Sequence, residues 1–303
     1  LSMNLHLLRM FMAVVEHQGF SRAAEALHVT QPAVSKAVRE LENQLGLPLV
    51  ERGTARGRGV VLTDHGQSLH QHARAIFALE RTAMDDIRER VELRRGALRV
   101  GASTTVAGYW LPPHVATFVQ RFPGVGFELQ VGNTAGIGHA IAEGSIDVAF
   151  VEGVVDDPGI VATRWRDEPL QVAVAADAKL GAKRRASVAE LSRQPWLLRE
   201  AGSGTRQVAQ RVLRRRGIRP ARLIELGSNE AIAHAVAAGA GVALLPAVVL
   251  HDLVAMGRVR VVGLTGDPDI QRPLYRLELP NRPRGPALQA FVEMVEGNQT
   301  PPL

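Results

Sequence analysis

Residues 20–42 read Phe-Ser-Arg-Ala-Ala-Glu-Ala-Leu-His-Val-Thr-Gln-Pro-Ala-Val-Ser-Lys-Ala-Val-Arg-Glu-Leu-Glu, and this stretch decides the fold of the first part of the chain. Ser21 and Thr30 are of the residue types that commonly cap helix N-termini. The apolar spacing after Ser21 predicts a short helix, and Pro32, which lacks an N–H, suits the first turn of another. The stretch therefore predicts two helices joined by a short turn.

The second of these helices has an apolar edge running from Val34 to Leu41 and a polar edge with amide, hydroxyl and cationic side chains: Gln31, Ser35, Lys36 and Arg39. Such side chains reach base edges and phosphates in a major groove, although a polar edge alone is more often a solvated face. A Gly/Arg-rich hairpin follows, in which Arg52, Arg56 and Arg58 would contact phosphates or the minor groove. This order of elements predicts a winged helix-turn-helix that binds DNA.

The remainder of the chain changes its pattern twice. From Thr63 to about Arg95 a long amphipathic helix is predicted, and its apolar stripe is expected to pair with a second subunit or, alternatively, to pack against its own chain. After Gly96 short strands and helices alternate, which predicts open parallel sheets with helices on both faces. About 200 residues of this kind can make two similar lobes.

Composition sets the class of protein. The chain has 303 residues, 46% of them hydrophobic, a formal charge of +6 and no cysteine. The absence of cysteine excludes disulfides, thiolate metal sites and a cysteine nucleophile. The first residues lack the layout of a secretory signal, and no apolar run is long enough to span a bilayer, so we expect a cytoplasmic protein with no membrane partner. The positive charge is compatible with a polyanionic partner.

Several motifs in the first 66 residues closely resemble the LysR-type transcriptional regulators. They are Phe20–Leu27, Thr30–Lys36, Leu41-Glu42, Leu45-Gly46, Leu49–Arg52 and Leu62–Gly66. Val50 stands where the family usually has Phe, and His65 where Ala is usual; neither departure threatens the resemblance. It implies that Gln31, Pro32, Ser35 and Lys36 lie at the groove. It also implies that Thr30 contacts a phosphate and that Arg52 holds the DNA backbone.

The resemblance also implies a domain organisation. Residues 3–62 would form the winged helix-turn-helix, 63–95 a dimerising linker helix, and 96–303 a two-lobed α/β sensor like that of periplasmic binding proteins. Lobe I would comprise 96–164 and 268–303, and lobe II 165–267. The implied partners are operator duplex DNA, a small-molecule inducer and further copies of this chain as a homodimer or homotetramer, with RNA polymerase as another candidate.

Small polar residues follow several predicted strands, where open α/β sheets bind ligands. Each is individually better explained as a helix cap, but their equivalent positions, and the family's inter-lobe cleft, favour a ligand site for a small anion. Glu152, at a strand end, would accept hydrogen bonds from a ligand amine or hydroxyl, or else cap a loop. The candidate ligand contacts are Ser103, Thr104, Thr105, Asn133, Thr134, Glu152, Ser203, Thr205, Ser228 and Asn229.

Two other classes of protein are disfavoured. A transporter's solute-binding protein would resemble residues 96–303, but it predicts a signal peptide and no DNA-binding head. An α/β enzyme with an appended domain needs a nucleophile or an acid–base pair, and the Gly202–Thr205 run lacks the pattern of a nucleophile elbow or a Walker loop. The histidines have no metal-site spacing. We therefore expect no catalytic residue, no metal and no cofactor.

Overall fold

The computed structural model describes residues 3–51, 60–92, 97–153, 155–265 and 270–297. The chain divides into two compact units, Leu1–Glu80 and Arg81–Leu303. In the described residues, no helix combines the length and the apolar character needed to cross a bilayer.

The first unit is built on three helices and the start of a fourth: α1 (Leu5–Glu16), α2 (Phe20–Ala26), α3 (Gln31–Leu45) and α4 (Asp64–Glu92). Apolar residues of α1, including the fully buried Leu8 and Phe11, pack with Ala23 of α2 and with Val34 of α3. Gly46 ends α3 in the left-handed conformation, with φ of 70°, which favours glycine. The predicted pair of helices joined by a short turn is therefore present.

The predicted cap at Ser21 is wrong. Gly19 occupies the N-cap of α2, so Ser21 lies within the first turn of that helix as an exposed residue. Phe20 packs against the core of this unit, and this contact favours a helix that begins at Phe20, before Ser21. Thr30 is the N-cap residue of α3 as predicted, although its side chain makes no capping hydrogen bond.

Helix α4 places the first half of its apolar stripe against its own chain. Ala73 is buried in the core of the first unit, and Leu69 and Ile76 pack against that core. Arg9 of α1 adds a 2.6 Å ion pair with Glu80. The interpretation that the stripe packs within its own chain thus describes this half of the helix, whereas Leu79, Met84 and Ile87 remain exposed.

Beyond α4, the described residues of the second unit form ten strands and seven α-helices, with a π-helical turn at Val106–Trp110 and a short 3-10 helix at Lys179–Ala182. The strands are β1 (Ala97–Ser103), β2 (Gly126–Gly132), β3 (Val148–Glu152), β4 (Val161–Ala175), β5 (Arg185–Ala186), β6 (Pro195–Leu198), β7 (Arg222–Glu225), β8 (Ala243–Pro246), β9 (Val259–Leu264) and β10 (Ile270–Glu278). The helices are α5 (Pro112–Arg121), α6 (Thr134–Ala142), α7 (Val188–Ser192), α8 (Gly204–Arg216), α9 (Asn229–Ala237), α10 (Ala247–Ala255) and α11 (Pro286–Gly297).

The sheets are mixed rather than parallel, which corrects the prediction of open parallel sheets. The main sheet has the order β2-β1-β3-β10-β4-β9-β5, with β8 also paired to β4. Strand β10 runs antiparallel to both β3 and β4. The first part of β4 pairs with β10 and its last part with β8 and β9, so this 15-residue strand belongs to both halves of the unit.

Each half of the second unit has helices on both faces of its strands. In the half that contains β1, one cluster gathers around Phe118 and Phe291 and another around Ile137 and Ile141. In the other half, one cluster surrounds Trp196 and the opposite one surrounds Ile232 and neighbouring aliphatic residues. Each half is thus a layer of strands between two layers of helices, and it forms one lobe. The carboxyl ends of several strands lie at the boundary between the two lobes.

Candidate functional site

One face of α3 presents a row of polar side chains to solvent. Thr30, Gln31, Pro32, Lys36 and Arg39 are exposed, and Ser35 is half-buried between them. The Gln31 Nε2 amide donates a 2.9 Å hydrogen bond to Ser35 Oγ. The opposite face is buried through Val34, Ala37, Val38 and Leu41. The helix is therefore fixed by its apolar face, and the N-terminal half of its polar face is open to a partner.

The base of the predicted wing is a short antiparallel ladder. Val50 bridges to Leu62, and the Glu51 amide donates to the Val61 carbonyl at 2.9 Å. The buried Glu42 of α3 holds this ladder, because its Oε1 accepts from the amides of Leu49 at 2.8 Å and Val50 at 3.3 Å. The three wing candidates, Arg52, Arg56 and Arg58, lie outside the described residues.

The sequence interpretation missed Glu42 as a positioning residue. The sequence feature that could have identified it is a carboxylate on the apolar edge of α3, one turn beyond Val38. A charge on that edge predicts a buried group with backbone partners, since an unpaired buried carboxylate is costly.

The predicted ligand contacts meet where strands of the two lobes end. Seven of them are at most 2% exposed: Ser103, Thr105, Thr134, Glu152, Ser203, Thr205 and Asn229. Thr104, Asn133 and Ser228 are half-buried. We call this group, together with the residues bonded to it below, the inter-lobe cleft.

Thr205, at the start of α8, is the centre of the cleft's hydrogen bonds. Its Oγ1 receives a 2.7 Å hydrogen bond from Nη1 of Arg272 and one of 3.4 Å from Nδ2 of Asn229, and donates to Oε1 of Glu152 at 3.4 Å. The Asn229 amide also donates to Thr105 Oγ1 at 2.8 Å. These bonds join residues of β3, α8, α9 and β10 with Thr105, which follows β1, so both lobes contribute to one connected cluster.

Thr134 links the cluster to the N-terminus of α8. Its hydroxyl donates to the Glu152 carbonyl at 2.7 Å and accepts from the Gly204 amide at 3.3 Å. Gly204 packs so closely on Glu152 that a Cβ at this position would collide with the Glu152 carbonyl. The glycine therefore allows the start of α8 to approach the end of β3.

Among the described residues, four buried side-chain atoms of the predicted ligand contacts have no hydrogen-bond partner: Ser103 Oγ, Glu152 Oε2, Ser203 Oγ and Asn229 Oδ1. Buried polar atoms are nearly always hydrogen-bonded, so an unbonded group needs an explanation. Two of these atoms are acceptors only, and the two hydroxyls can donate or accept. By contrast, Asn133 Oδ1 and Ser228 Oγ accept capping bonds from the amides of Gly136 and Ala231.

Two ion pairs that each contain a buried arginine were also missed by the sequence interpretation. Arg272 Nε donates to Glu168 Oε2 at 2.6 Å, and the Trp110 indole donates to Oε1 of the same carboxylate at 2.8 Å. Nothing in the sequence distinguishes these two residues from surface charges on a strand. Only the pairing of β4 with β10 brings them together.

The second ion pair forms between neighbours in sequence. Arg199 donates to both oxygens of Glu200, at 2.7 and 2.9 Å, and to Thr104 Oγ1 at 3.1 Å. Burial acts to raise the pKa of the Glu200 carboxyl, but the hydrogen bonds and charge of Arg199 outweigh it, so this pKa lies below its ordinary value. Among the described residues, no group of acidic or histidine side chains could hold a metal ion.

Comparison with known proteins agrees with this two-part architecture. Residues 5–67 match the model for "Bacterial regulatory helix-turn-helix protein, lysR family", and residues 92–299 match the "LysR substrate binding domain". The chain is 34% identical over 293 residues to the RuBisCO operon transcriptional regulator of Allochromatium vinosum, covering 96% of this chain and 95% of that protein.

Two solved structures extend the comparison. A full-length OxyR variant from Pseudomonas aeruginosa has a TM-score of 0.66 and 26% identity, covering 97% of this chain and 95% of that one. The regulatory domain of Synechocystis CcmR in complex with 2-PG has a TM-score of 0.61 and 28% identity, covering 66% of this chain and 96% of the domain. These proteins are regulators rather than enzymes, and the chain belongs to the LysR family of DNA-binding transcriptional regulators, with an effector-binding domain.

Proposed function

We propose that this regulator reads operator DNA with the polar face of α3 and with the wing, and that a small anionic metabolite in the inter-lobe cleft modulates it. The DNA contacts are Ser21, Thr30, Gln31, Pro32, Ser35, Lys36, Arg39 and the three wing arginines. The protein works in the cytoplasm as a homodimer or homotetramer, without a cofactor, and RNA polymerase is a further partner. Its domains are those predicted from the sequence, at 3–62, 63–95 and 96–303.

The exposed row on α3 supports the DNA part of this proposal. Amide and cationic side chains at the N-terminal half of such a helix suit base edges and phosphates, and the buried opposite face fixes their orientation. We expect Lys36→Ala to weaken operator binding, and Arg52→Ala to do so while lowering the slope of log affinity against log salt by about 0.9. Arg121→Ala, which removes an exposed arginine of α5, is the control.

Fluorescence anisotropy on the promoter of the adjacent divergent gene, at several salt concentrations, measures both quantities. Unchanged operator affinity in both variants would contradict the placement of α3 and the wing on DNA.

The unbonded polar atoms support the effector part and define what the ligand must offer. Ser203, the N-cap residue of α8, can donate to an anion at the N-terminus of that helix, where helix amides also favour negative charge, and Ser103 at the end of β1 offers a second hydroxyl. Glu152 Oε2 and Asn229 Oδ1 need a donor. The ligand is therefore a small anion that also carries a hydroxyl, an ammonium or an acidic proton. The CcmR domain, solved with the small anion 2-PG, is consistent with this class.

A thermal-shift screen of the full-length protein tests the ligand class. Two pairs of probes are matched in charge and close in size: lactate, which carries a hydroxyl donor, against propionate, which has none, and hydrogen phosphate against sulfate, which has no acidic proton. Glycerate is a second hydroxyl-bearing acid. A ligand at 100 times its Kd stabilises the folded state by about 2.7 kcal/mol, which a melting scan detects. We expect stabilisation only from the members that carry a donor.

Two variants connect that result to the cleft. Glu152→Gln keeps the size of the side chain but replaces the charged acceptor with a neutral amide, so the preference for donor-bearing anions is expected to weaken. Glu128→Gln, an exposed carboxylate of β2, is the matched control. Equal stabilisation by propionate and lactate in the wild-type protein would refute the role given to Glu152.

The same cleft gives a mechanism for regulation. A ligand that satisfies atoms from both lobes binds one arrangement of the lobes more tightly than another, and only such differential affinity shifts a conformational equilibrium. The shift changes how the helix-turn-helix domains of two subunits are positioned on DNA, and α4 transmits the change from the second unit. X-ray scattering of the operator complex with and without a ligand from the screen tests this step, and identical profiles would refute it.

A further inference from the structure

The positive charge of this protein is concentrated in one segment of the second unit. Residues 179–222 contain thirteen Lys or Arg residues and two Glu residues, whereas the whole chain has a formal charge of only +6. The rest of the chain is therefore net negative. A charge segregated in this way creates a local positive potential instead of a general solubilising charge.

The exposed side of α8 carries a large share of these cations. The helix buries Val208, Ala209 and Leu213. On the opposite side, Arg211, Arg214 and Arg215 are exposed and follow the three- and four-residue spacing of one helix face. The apolar face thus fixes which way the arginines point.

The loop after α8, together with the residue that follows α7, adds two more exposed arginines near the end of α8. The Arg219 amide donates to Ser192 Oγ at 3.1 Å, and the Ala221 amide donates to the Gln194 carbonyl at 3.3 Å. These bonds place Arg219 next to Arg193, which lies between Ser192 and Gln194. We call Arg193, Arg211, Arg214, Arg215 and Arg219 the lobe II arginine surface; all five are exposed.

Within the part of the chain that the structure describes, no carboxylate pairs with these five arginines. Other cations of residues 179–222 do have acidic partners: Arg206 pairs with Glu225, and Lys183 pairs with Glu190. Like charges three and four residues apart on a helix repel one another and destabilise it, although the C-terminal end of the α8 dipole offsets part of this. An arrangement that leaves cations adjacent and unneutralised suits a polyanionic partner.

We propose that the lobe II arginine surface binds phosphates of duplex DNA outside the segment read by α3. Arginine presents a planar fork that matches phosphate oxygens. The only aromatic residue of 179–222 is Trp196, which is fully buried, so no ring is available to stack on unpaired bases, and duplex is favoured over single strands. The protein already belongs to a DNA-binding family, so duplex DNA is a polyanion that it meets during its function.

The test compares two duplexes and three full-length proteins. One duplex is trimmed to the segment protected by the helix-turn-helix, and the other extends it by about two helical turns on each side. The proteins are the wild type, the variant Arg211→Gln/Arg214→Gln/Arg215→Gln, and the control Arg258→Gln/Arg260→Gln. The control removes two exposed arginines elsewhere in the second unit. Glutamine has nearly the helix propensity of arginine, so α8 is retained.

We expect the wild type and the control to bind the extended duplex more tightly than the trimmed one. The triple variant loses that advantage and binds the trimmed duplex normally. Three phosphate contacts contribute about 0.9 each to the slope of log affinity against log salt. The affinity of the wild type for the extended duplex should therefore fall about 40-fold more between 50 and 200 mM salt than that of the variant.

Each alternative partner gives a different result, and each would overturn the proposal. If the triple variant behaves like the wild type on both duplexes, the arginines are a solvated surface. If light scattering shows that it changes oligomeric state, the surface contacts a second copy of the chain. If DNA binding is intact but transcription by RNA polymerase is lost, the partner is an acidic protein surface. Equal losses on both duplexes would place the effect in the helix-turn-helix.

Discussion

Replacing Glu42 should release the base of the wing from α3. The carboxylate is buried, and its Oε1 accepts hydrogen bonds from two consecutive amides, those of Leu49 and Val50, at 2.8 and 3.3 Å. Val50 is the residue that bridges to Leu62 and so begins the ladder of the wing. Glu42 is thus the side chain that connects α3 to the Val50–Leu62 ladder.

The size of the effect follows from these two bonds. A hydrogen bond to a charged group contributes about 1.5–3 kcal/mol, and Glu42→Ala also leaves a buried Leu49 amide without this acceptor. We expect the free energy of local opening around residues 49–51 to fall by about 3–5 kcal/mol. Glu42→Gln keeps an acceptor at the same atom but loses the charge, so about half of each bond remains and the loss is about 1–2 kcal/mol.

Native-state hydrogen exchange of the Leu49 and Val50 amides measures this directly. A fall of about 3 kcal/mol lowers protection by about 100-fold. Operator affinity should fall in parallel, because the wing is no longer held beside α3. Glu40→Ala, which removes an exposed glutamate of the same helix, is the control and should leave protection unchanged. Equal protection in the two alanine variants would refute the positioning role of Glu42.

Three further changes test other parts of the fold. Gly66→Ala should lower the free energy of unfolding of the first unit by about 1–3 kcal/mol in urea denaturation, because a Cβ there would collide with the Leu49 carbonyl. Arg272→Met should cost the second unit about 3–5 kcal/mol by leaving Glu168, and Glu152 at 3.7 Å, buried without their cation. Arg272→Met/Glu168→Leu should recover only part of that loss, because Glu152 stays without its cation; a double variant as unstable as the single one would contradict this account. Burial, followed by the charge of Arg166, lowers the pKa of His114 below its ordinary 6.5, so the folded state favours the neutral ring, and stability is complete above pH 6.5 and declines as the pH falls below it. His114→Gln should flatten this acid decline by at most about 1.4 kcal/mol per pH unit in melts from pH 7 to 5, and an unchanged decline would assign it to other groups.

The helix-turn-helix could be predicted closely because its signals are local. Thr30, Pro32 and the apolar spacing of α3 each act within one turn of the helix, and they agree with one another. The one error in this region, the cap at Ser21, arose because tertiary packing of Phe20 overrides the local preference of serine for an N-cap. The role of Glu42 depends on an amide seven residues away and required the structure.

The second unit could be predicted in its class but not in its strand directions. Alternating strands and helices correctly indicated layered α/β lobes. The alternation of apolar and polar residues in β4 and β10 predicts only that they are strands. Side chains alternate in the same way in parallel and antiparallel sheets, so this pattern does not give the strand direction. Their antiparallel pairing across both lobes is a long-range choice, and the buried Arg272–Glu168 pair depends on it. That pair therefore could not be found from spacing.

In the inter-lobe cleft, residue type alone does not distinguish a ligand contact from a helix cap. Serine, threonine and asparagine at a strand end serve equally well as helix caps and as ligand contacts, so the sequence gives candidates of both kinds. Hydrogen-bond accounting separates them: Asn133 and Ser228 use their oxygens to cap α6 and α9, while Ser103 and Ser203 are buried with hydroxyls that have no partner. Leaving such a group unbonded costs about 1–3 kcal/mol, which a ligand that completes the bonds would recover. The effector's affinity should therefore depend much more on Ser103 and Ser203 than on the two caps, although all four residues fit the same sequence pattern.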